Sequence, residues 1–310
     1  NQGYILEYDG ESWNKIANAN GSYVRSLATD DEGIVYVGNM GDFGYLRPDA
    51  SGELQYVSLA REIDSTFQDI WSVYTHGDTI YFSSYNYIFK YKRDTLLNVI
   101  PIKTEWHFLD FFVDGTLYMG DYKKGLMKLD GDRVVTCTGG SFYREKDIFT
   151  ILPFTHDRLL VGTRSGLFAY DPVNGRSQSL SELGKQYPQL DAYIKSVQLY
   201  GGIQLSDGNY LLHSLDDGAV IVDQQTGAIR YHYTDQNGLQ DPTVIKSFES
   251  NNQNIWLGLN NGISQIEYHS AIKMFNKENG LKGIPMDVVR MEGKLYVATT
   301  MGVYQQQFDD

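Results

Sequence analysis

The sequence predicts an all-β fold: a β-propeller of seven blades, each a four-stranded antiparallel sheet, with residues 1–310 forming a single domain. Three observations predict it. The first is composition. Tyr (24 copies) and Gly (31) are abundant while Pro (7) is scarce, which favours strands joined by tight turns over a disordered or collagen-like chain. The second is a repeated triplet, apolar–aromatic or aliphatic–apolar, centred on Tyr36, Tyr81, Tyr118, Leu160, Leu211, Trp256 and Tyr296, at intervals of 37 to 51 residues. The third is the setting of each triplet. A polar turn and an apolar strand precede it, and a short break, often ending in Gly, leads to another apolar strand. Repeats of this length built from short strands mark a propeller, in which each sheet buries its faces only against its neighbours.

The elements follow in order. First strands are expected at 24–30, 70–76, 107–114, 148–155 and 244–250. The triplet is the second strand, and the segment opening with Gly-Leu or Gly-Ile is the third. A weaker outer strand follows, as at 12–17 and 228–233. The interval from Leu160 to Leu211 is the widest and holds an insertion. There Ser179 and Glu182 stand at capping-box spacing, which predicts a short helix over 179–187, and a second is expected at 58–64. The sequence opens on a third strand, "GYILEYDG", and stops after another, "GVYQQQF". A ring could therefore close by pairing the N-terminal strands with the last blade, and the chain is expected to be a segment of something longer.

Charge and cysteine content bound the function. A net charge of −13 argues against binding of nucleic acid or anionic membrane by this segment. Cys137 is the single cysteine, so no internal disulfide can form; it lies in the alternating run "RVVTCTGG" and reads as a small buried residue. No apolar run approaches the length of a membrane-spanning helix, and the first residues have no signal-peptide pattern.

One repeat is specific enough to compare with a family. Gly238-Leu239, Val244, Phe248, Ile255-Trp256-Leu257-Gly258 and Gly262-Ile263 resemble the two-component regulator propeller repeat, with Leu259 where that pattern has Thr. Gly280-Leu281, Leu295-Tyr296-Val297 and Gly302-Val303 repeat the likeness. The N-terminal "NQGYILEYDGESW" and "VYVGNMGDFGYLRPDASGELQYVSL" are similar to the propellers of bacterial regulators that carry a triple-tyrosine domain. The resemblance implies a periplasmic sensor domain of a membrane-spanning signal-transduction regulator, dimeric at full length and responsive to a carbohydrate. It places the output domain and the membrane anchor outside this segment.

The residues themselves offer little catalytic chemistry. "SLDDG" (214–218) resembles part of the Asp-box turn of sialidase-type propellers but lacks its Thr-Trp, and reads as a turn. The glycines of "GNMGDFG" precede no helix that would hold a phosphate. The six histidines are dispersed, and there is no G-x-S-x-G elbow. No catalytic residue, metal or cofactor is therefore expected. A propeller-type glycoside hydrolase or lyase is the alternative, because carboxylate separation is spatial. A protein-interaction scaffold without a small ligand is another.

Binding remains, and topology locates it. Loops joining second and third strands all open on one face around the central channel. They nominate Asn39, Tyr85, Tyr122, Lys123, Arg164, Asp216, Asn260 and Thr300. This mixture of aromatic, amide and charged groups suits an oligosaccharide or other small polar ligand. Trp71 and Trp256 fall in strand patterns and read as core, as do the less constrained Trp13 and Trp106.

Overall fold

The computed structural model describes residues 3–18, 21–63, 67–104, 107–155, 157–270, 280–292 and 294–305. The hairpin Tyr4–Tyr8 and Trp13–Ala17 comes first. Blade 1 comprises Val24–Thr29, Val35–Asn39, Phe43–Pro48 and Leu54–Ser58. Blade 2 comprises Ile70–His76, Thr79–Ser84, Tyr87–Lys92 and Thr95–Pro101. Blade 3 has His107–Val113, Thr116–Asp121, Gly125–Asp130 and Arg133–Thr136. Blade 4 has Ile148–Pro153, Leu159–Thr163, Gly166–Tyr170 and Ser177–Ser179. Blade 5 has Leu199–Gln204, Tyr210–Ser214, Ala219–Val222 and Ile229–Tyr233. Blade 6 has three described strands, Val244–Glu249, Ile255–Leu259 and Ile263–Ile266. Blade 7 has Pro285–Met291, Lys294–Thr299 and Gly302–Gln305. Each sheet is an antiparallel meander, and all seven triplets are second strands. Residues 271–279 and those after 305 lie outside the described residues.

The core is a series of layers between blades, as the propeller requires. Phe43, Phe82 and Phe89 fill the layer between blades 1 and 2. Ile100, Leu117 and Met127 fill the next, and Tyr143, Val161 and Tyr170 the layer between blades 3 and 4. Leu160, Leu199 and Leu212 join blades 4 and 5, and Ile221, Val244 and Leu257 join blades 5 and 6.

A glycine at the end of the triplet sets how closely two blades approach. A Cβ on Gly38 would lie 2.6 Å from the Ile70 side chain, and one on Gly162 would lie 2.8 Å from Leu199, in each case on the first strand of the following blade. A Cβ on Gly258 of blade 6 would meet nothing closer than Lys246 of its own sheet, at 3.8 Å. Consistently, every residue of the first strand of blade 7 is exposed.

The N-terminal strands pair with each other, Tyr4 opposite Ala17, and form a sheet separate from blade 7. The second strand of blade 7 is instead paired with its own third strand, Thr299 opposite Gly302. The hairpin packs Ile5 and Ile16 on Val37 and Leu46 of blade 1. It also sets the Tyr8 ring edge-on to Trp256 of blade 6, with centroids 6.4 Å apart. It thus bridges the first and sixth blades.

Two local expectations shift. The helix expected over 179–187 is a single 3-10 turn, Leu180–Glu182, and Ser179 makes no capping bond. Gly184 and Lys185 then take left-handed backbone angles, φ +74° and +56°, which interrupt the helical path. The α-helix, α1, runs from Tyr187 to Ser196 with Pro188 in its first turn. The second expected helix is a 3-10 turn, Ala60–Glu62. Among the described residues, no helix is long and apolar enough to cross a membrane.

Candidate functional site at the channel mouth

All seven first strands carry a β-bulge at the same place, near the strand start. The register slips between Val24 and Ser26, Ile70 and Ser72, His107 and Asp110, Ile148 and Thr150, Leu199 and Gly201, Val244 and Lys246, and Pro285 and Asp287. A bulge leaves one residue unpaired and re-aims its side chain. The residues so placed include Arg25, Trp71, Phe149, Tyr200, Ile245 and Met286. Because the strands are antiparallel, each bulge lies beside the loop between second and third strands.

The bulged side chains interlock across blades. The Arg25 guanidinium of blade 1 lies over the Trp71 indole of blade 2, its carbon 4.7 Å from the ring centroid. Arg25 Nε donates to Asp69 Oδ2 at 2.8 Å. Trp71 in turn faces Tyr85, with centroids 5.6 Å apart. On the other side, Arg164 lies 4.6 Å over the Phe149 ring, and Phe149 and Tyr200 are 6.1 Å apart. Burial pushes the Tyr85 phenol pKa up, Asp69 adds to the shift, and Tyr200 of blade 5 is near enough to contribute. The rim is therefore aromatic, with two arginines laid on ring faces.

A polar tier lies one step along the strands. His107 Nε2 and Asp110 Oδ1 are 2.5 Å apart and almost wholly buried. Burial opposes charge on His107, but the Asp110 carboxylate, the Tyr85 backbone and Asp121 together outweigh it, and the net shift is upward. Lys246 of blade 6 is open to solvent yet ringed by protein. Desolvation lowers its pKa, while the Asp110 charge of blade 3 pulls the other way. The indole N–H of Trp71 and the hydroxyls of Ser83, Thr150 and Ser247 are buried without a protein partner among the described residues. Such groups remain available to hydrogen-bond a polar ligand. No group of His, Cys, Asp and Glu among the described residues has the arrangement of a metal site.

The nominated loop residues divide. Tyr85 and Arg164 belong to the rim. Tyr122 and Lys123 are exposed on the next loop, where the Lys123 amide donates to Asp121 Oδ1. Asn39 is fully buried and its Nδ2 donates to the Tyr56 hydroxyl, so its amide supports the blade. Asp216 accepts from the Gln198 amide after α1. The backbone of exposed Asn260 donates to Thr243, and Thr300 Oγ1 accepts from the Ile284 amide. These residues hold turns.

Arg25, Trp71, Phe149 and Tyr200 were not nominated from the sequence. Trp71, expected in the core, is half-buried on the rim, and Trp256 is half-buried beneath Tyr8. Trp13 is 49% exposed and stacks on Tyr8, while Trp106 lies outside the described residues. The signal for the rim was a bulky residue recurring at the second position of each first strand. "SLDDG" is a turn: the Asp217 amide donates to Ser214 Oγ, and Gly218 has φ +68°.

No protein-family model matches the chain, and no curated protein matches it in sequence. Solved structures do match in fold. The WD40 β-propeller domain of Doa1 aligns at TM-score 0.64 and 12% identity, over 86% of each chain. A domain described as the extracellular part of a one-component system, BT4673 of B. thetaiotaomicron, aligns at TM-score 0.58 and 16% identity over 100% of this chain and 43% of that one. Virginiamycin B lyase of Staphylococcus aureus aligns at TM-score 0.55 and 10% identity, over 92% and 94%. The chain is a β-propeller, and it spans under half the length of the BT4673 domain.

Proposed function

We propose that this propeller is an extracytoplasmic ligand-sensing domain of a bacterial signal-transduction regulator, periplasmic, non-enzymatic and responsive to a carbohydrate. In this reading it is one propeller of a longer, membrane-anchored protein that works as a homodimer. The observation that carries the binding role is the rim of half-buried Trp71, Tyr85 and Tyr200, with Arg25 on the Trp71 face and Arg164 covering the buried Phe149 behind it. Aromatic faces stack on sugar rings, while guanidinium and partnerless hydroxyl groups take up hydroxyls. The likeness to the extracellular BT4673 domain supports the sensor role.

The lyase neighbour favours a second reading, a propeller enzyme. One experiment separates them: a thermal-shift screen against oligosaccharides with product analysis of each sample. A ligand at about a hundred times its Kd adds roughly 2.7 kcal/mol. A shift of a few degrees with the sugar intact, lost in Trp71→Ala and Tyr200→Ala, is expected. Cleaved sugar would give the enzyme reading instead, and no shift with any glycan would remove the saccharide role.

A further inference from the structure

The charge of the mouth is divided. In a chain with 26 basic and 39 acidic residues, the face over blades 3 and 4 reverses the balance. Lys103, Lys123, Lys124, Arg144, Arg164 and the half-buried Lys146 lie there, all but the last exposed. The acids of the same described loops are Asp121, Glu145 and Asp147. Asp121 is buried, its Oδ1 accepting the Lys123 and Lys124 amides, so its charge is spent on the turn.

The loops that carry these cations are tied together. Lys124 Nζ donates to the Lys103 carbonyl. The Glu145 amide donates to the Tyr122 carbonyl and ties the loop before blade 4 to that of blade 3. Arg164 reaches Asp147 at 3.7 Å, an exposed contact worth little, and lies over Phe149. Phe149 then meets Tyr200 of the rim. On the next two blades the sign is opposite: loops 215–218 and 234–243 of blades 5 and 6 hold Asp216, Asp217, Asp235 and Asp241 and no Lys or Arg.

We propose that the ligand is an acidic oligosaccharide, its carboxylate or sulfate groups held by Lys123, Lys124 and Arg164 while a sugar ring stacks on the half-buried Tyr200. This rests on the saccharide-sensing reading and narrows it. Arg164, held over the Phe149 ring and paired with Asp147 only at 3.7 Å, can exchange that contact for an anionic ligand group, and flanking ammonium groups add long-range attraction. The aspartates of blades 5 and 6 repel the same anion and so bias it towards blades 3 and 4.

Calorimetric titration of the chain with matched glycans tests this: an oligogalacturonate and its methyl ester, and a sulfated oligosaccharide and its desulfated form. One acidic member is expected to bind, its neutral counterpart about tenfold or more weaker, and the two pairs distinguish carboxylate from sulfate. Binding should weaken as salt rises from 50 to 300 mM, roughly the range over which the screening length shrinks towards a contact distance. Lys123→Ala/Lys124→Ala and Arg164→Gln should each weaken it about tenfold, and Lys92→Ala, at the opposite end of blade 2, should leave it unchanged. Equal binding of neutral and acidic partners, or indifference to the lysine-pair and Arg164 variants, overturns the acidic assignment and leaves the saccharide reading standing. Failure of every glycan to bind overturns both.

Discussion

Arg25 is clamped between two neighbours from blade 2: its guanidinium stacks on Trp71 at 4.7 Å and donates to Asp69 at 2.8 Å. Its side chain is 31% exposed and that of Asp69 only 10%, so the pair is shielded on the acid's side. Arg25→Ala would remove the stack and leave a largely buried carboxylate without its cation, at a cost of about 1–3 kcal/mol. Arg25→Lys should recover less than half of this, because an ammonium cannot stack flat and bond sideways at once. Denaturant unfolding of the three proteins measures it. Equal stability of all three would mean that the blades are held at this end by the apolar layer alone.

The glycines that close the triplets make a sharper comparison. Gly38→Ala and Gly162→Ala place a methyl group within 2.6 and 2.8 Å of the next blade's first strand. Overpacking of this kind costs roughly 1–3 kcal/mol. Gly258→Ala has 3.8 Å of room and should stay within about 0.5 kcal/mol of the parent. The melting temperatures should fall for the first two and hold for the third. A large loss at Gly258 would show that another sheet presses on blade 6 in solution.

That contrast also bears on what the sequence could reveal. Strand positions were legible because alternation and the triplet repeat are properties of one strand at a time. First strands expected at 70–76 and 148–155 appear as Ile70–His76 and Ile148–Pro153. The helix was misplaced because Ser179 and Glu182 mimic a cap, whereas the left-handed Lys185 that delays the helix has no sequence signature. The rim was missed for a related reason. A bulge is a mismatch between two strands, one residue extra against its partner, and the pattern of a single strand does not contain it. Trp71 therefore read as an inward strand residue, although the slip between Ile70 and Ser72 turns it to the mouth. Tyr85 and Arg164 were nominated from loop position alone, and the structure sets them beside Trp71 and Phe149.

His213 makes stability depend on pH. It is buried, its Nδ1–H donates to the Val244 carbonyl at 3.0 Å, and burial holds its pKa down at about 4. The unfolded chain, with a pKa near 6.5, binds this proton more readily than the native state does. Stability is therefore intact above about pH 6.5 and falls as pH drops towards 4, by up to about 3 kcal/mol from this group. His107 has the opposite sign: its raised pKa contributes below its unfolded value, and that contribution fades as pH rises through the folded one. Unfolding free energies between pH 4 and 7 should rise with pH, and His213→Gln should flatten the slope. A slope unchanged in that variant would assign the proton to another group.

Cys137 gives a direct clock for opening of the layer between blades 3 and 4. It is 6% exposed and packed with Tyr118, Tyr143 and Tyr170. Burial pushes its thiol pKa up to about 11, and the nearby Lys128 only partly offsets this. The nucleophile towards a disulfide reagent is the thiolate, so at pH 8 the native protein should react orders of magnitude more slowly than the unfolded chain. The layer is closed on both sides by complete four-stranded blades, so labelling should need their separation and not local fraying. Stopped-flow labelling across a urea series tests this. The rate should rise with denaturant as steeply as global unfolding does. A flat dependence at low urea would reveal a local opening, and would place the weak seam of the ring between blades 3 and 4 instead of beside the exposed blade 7.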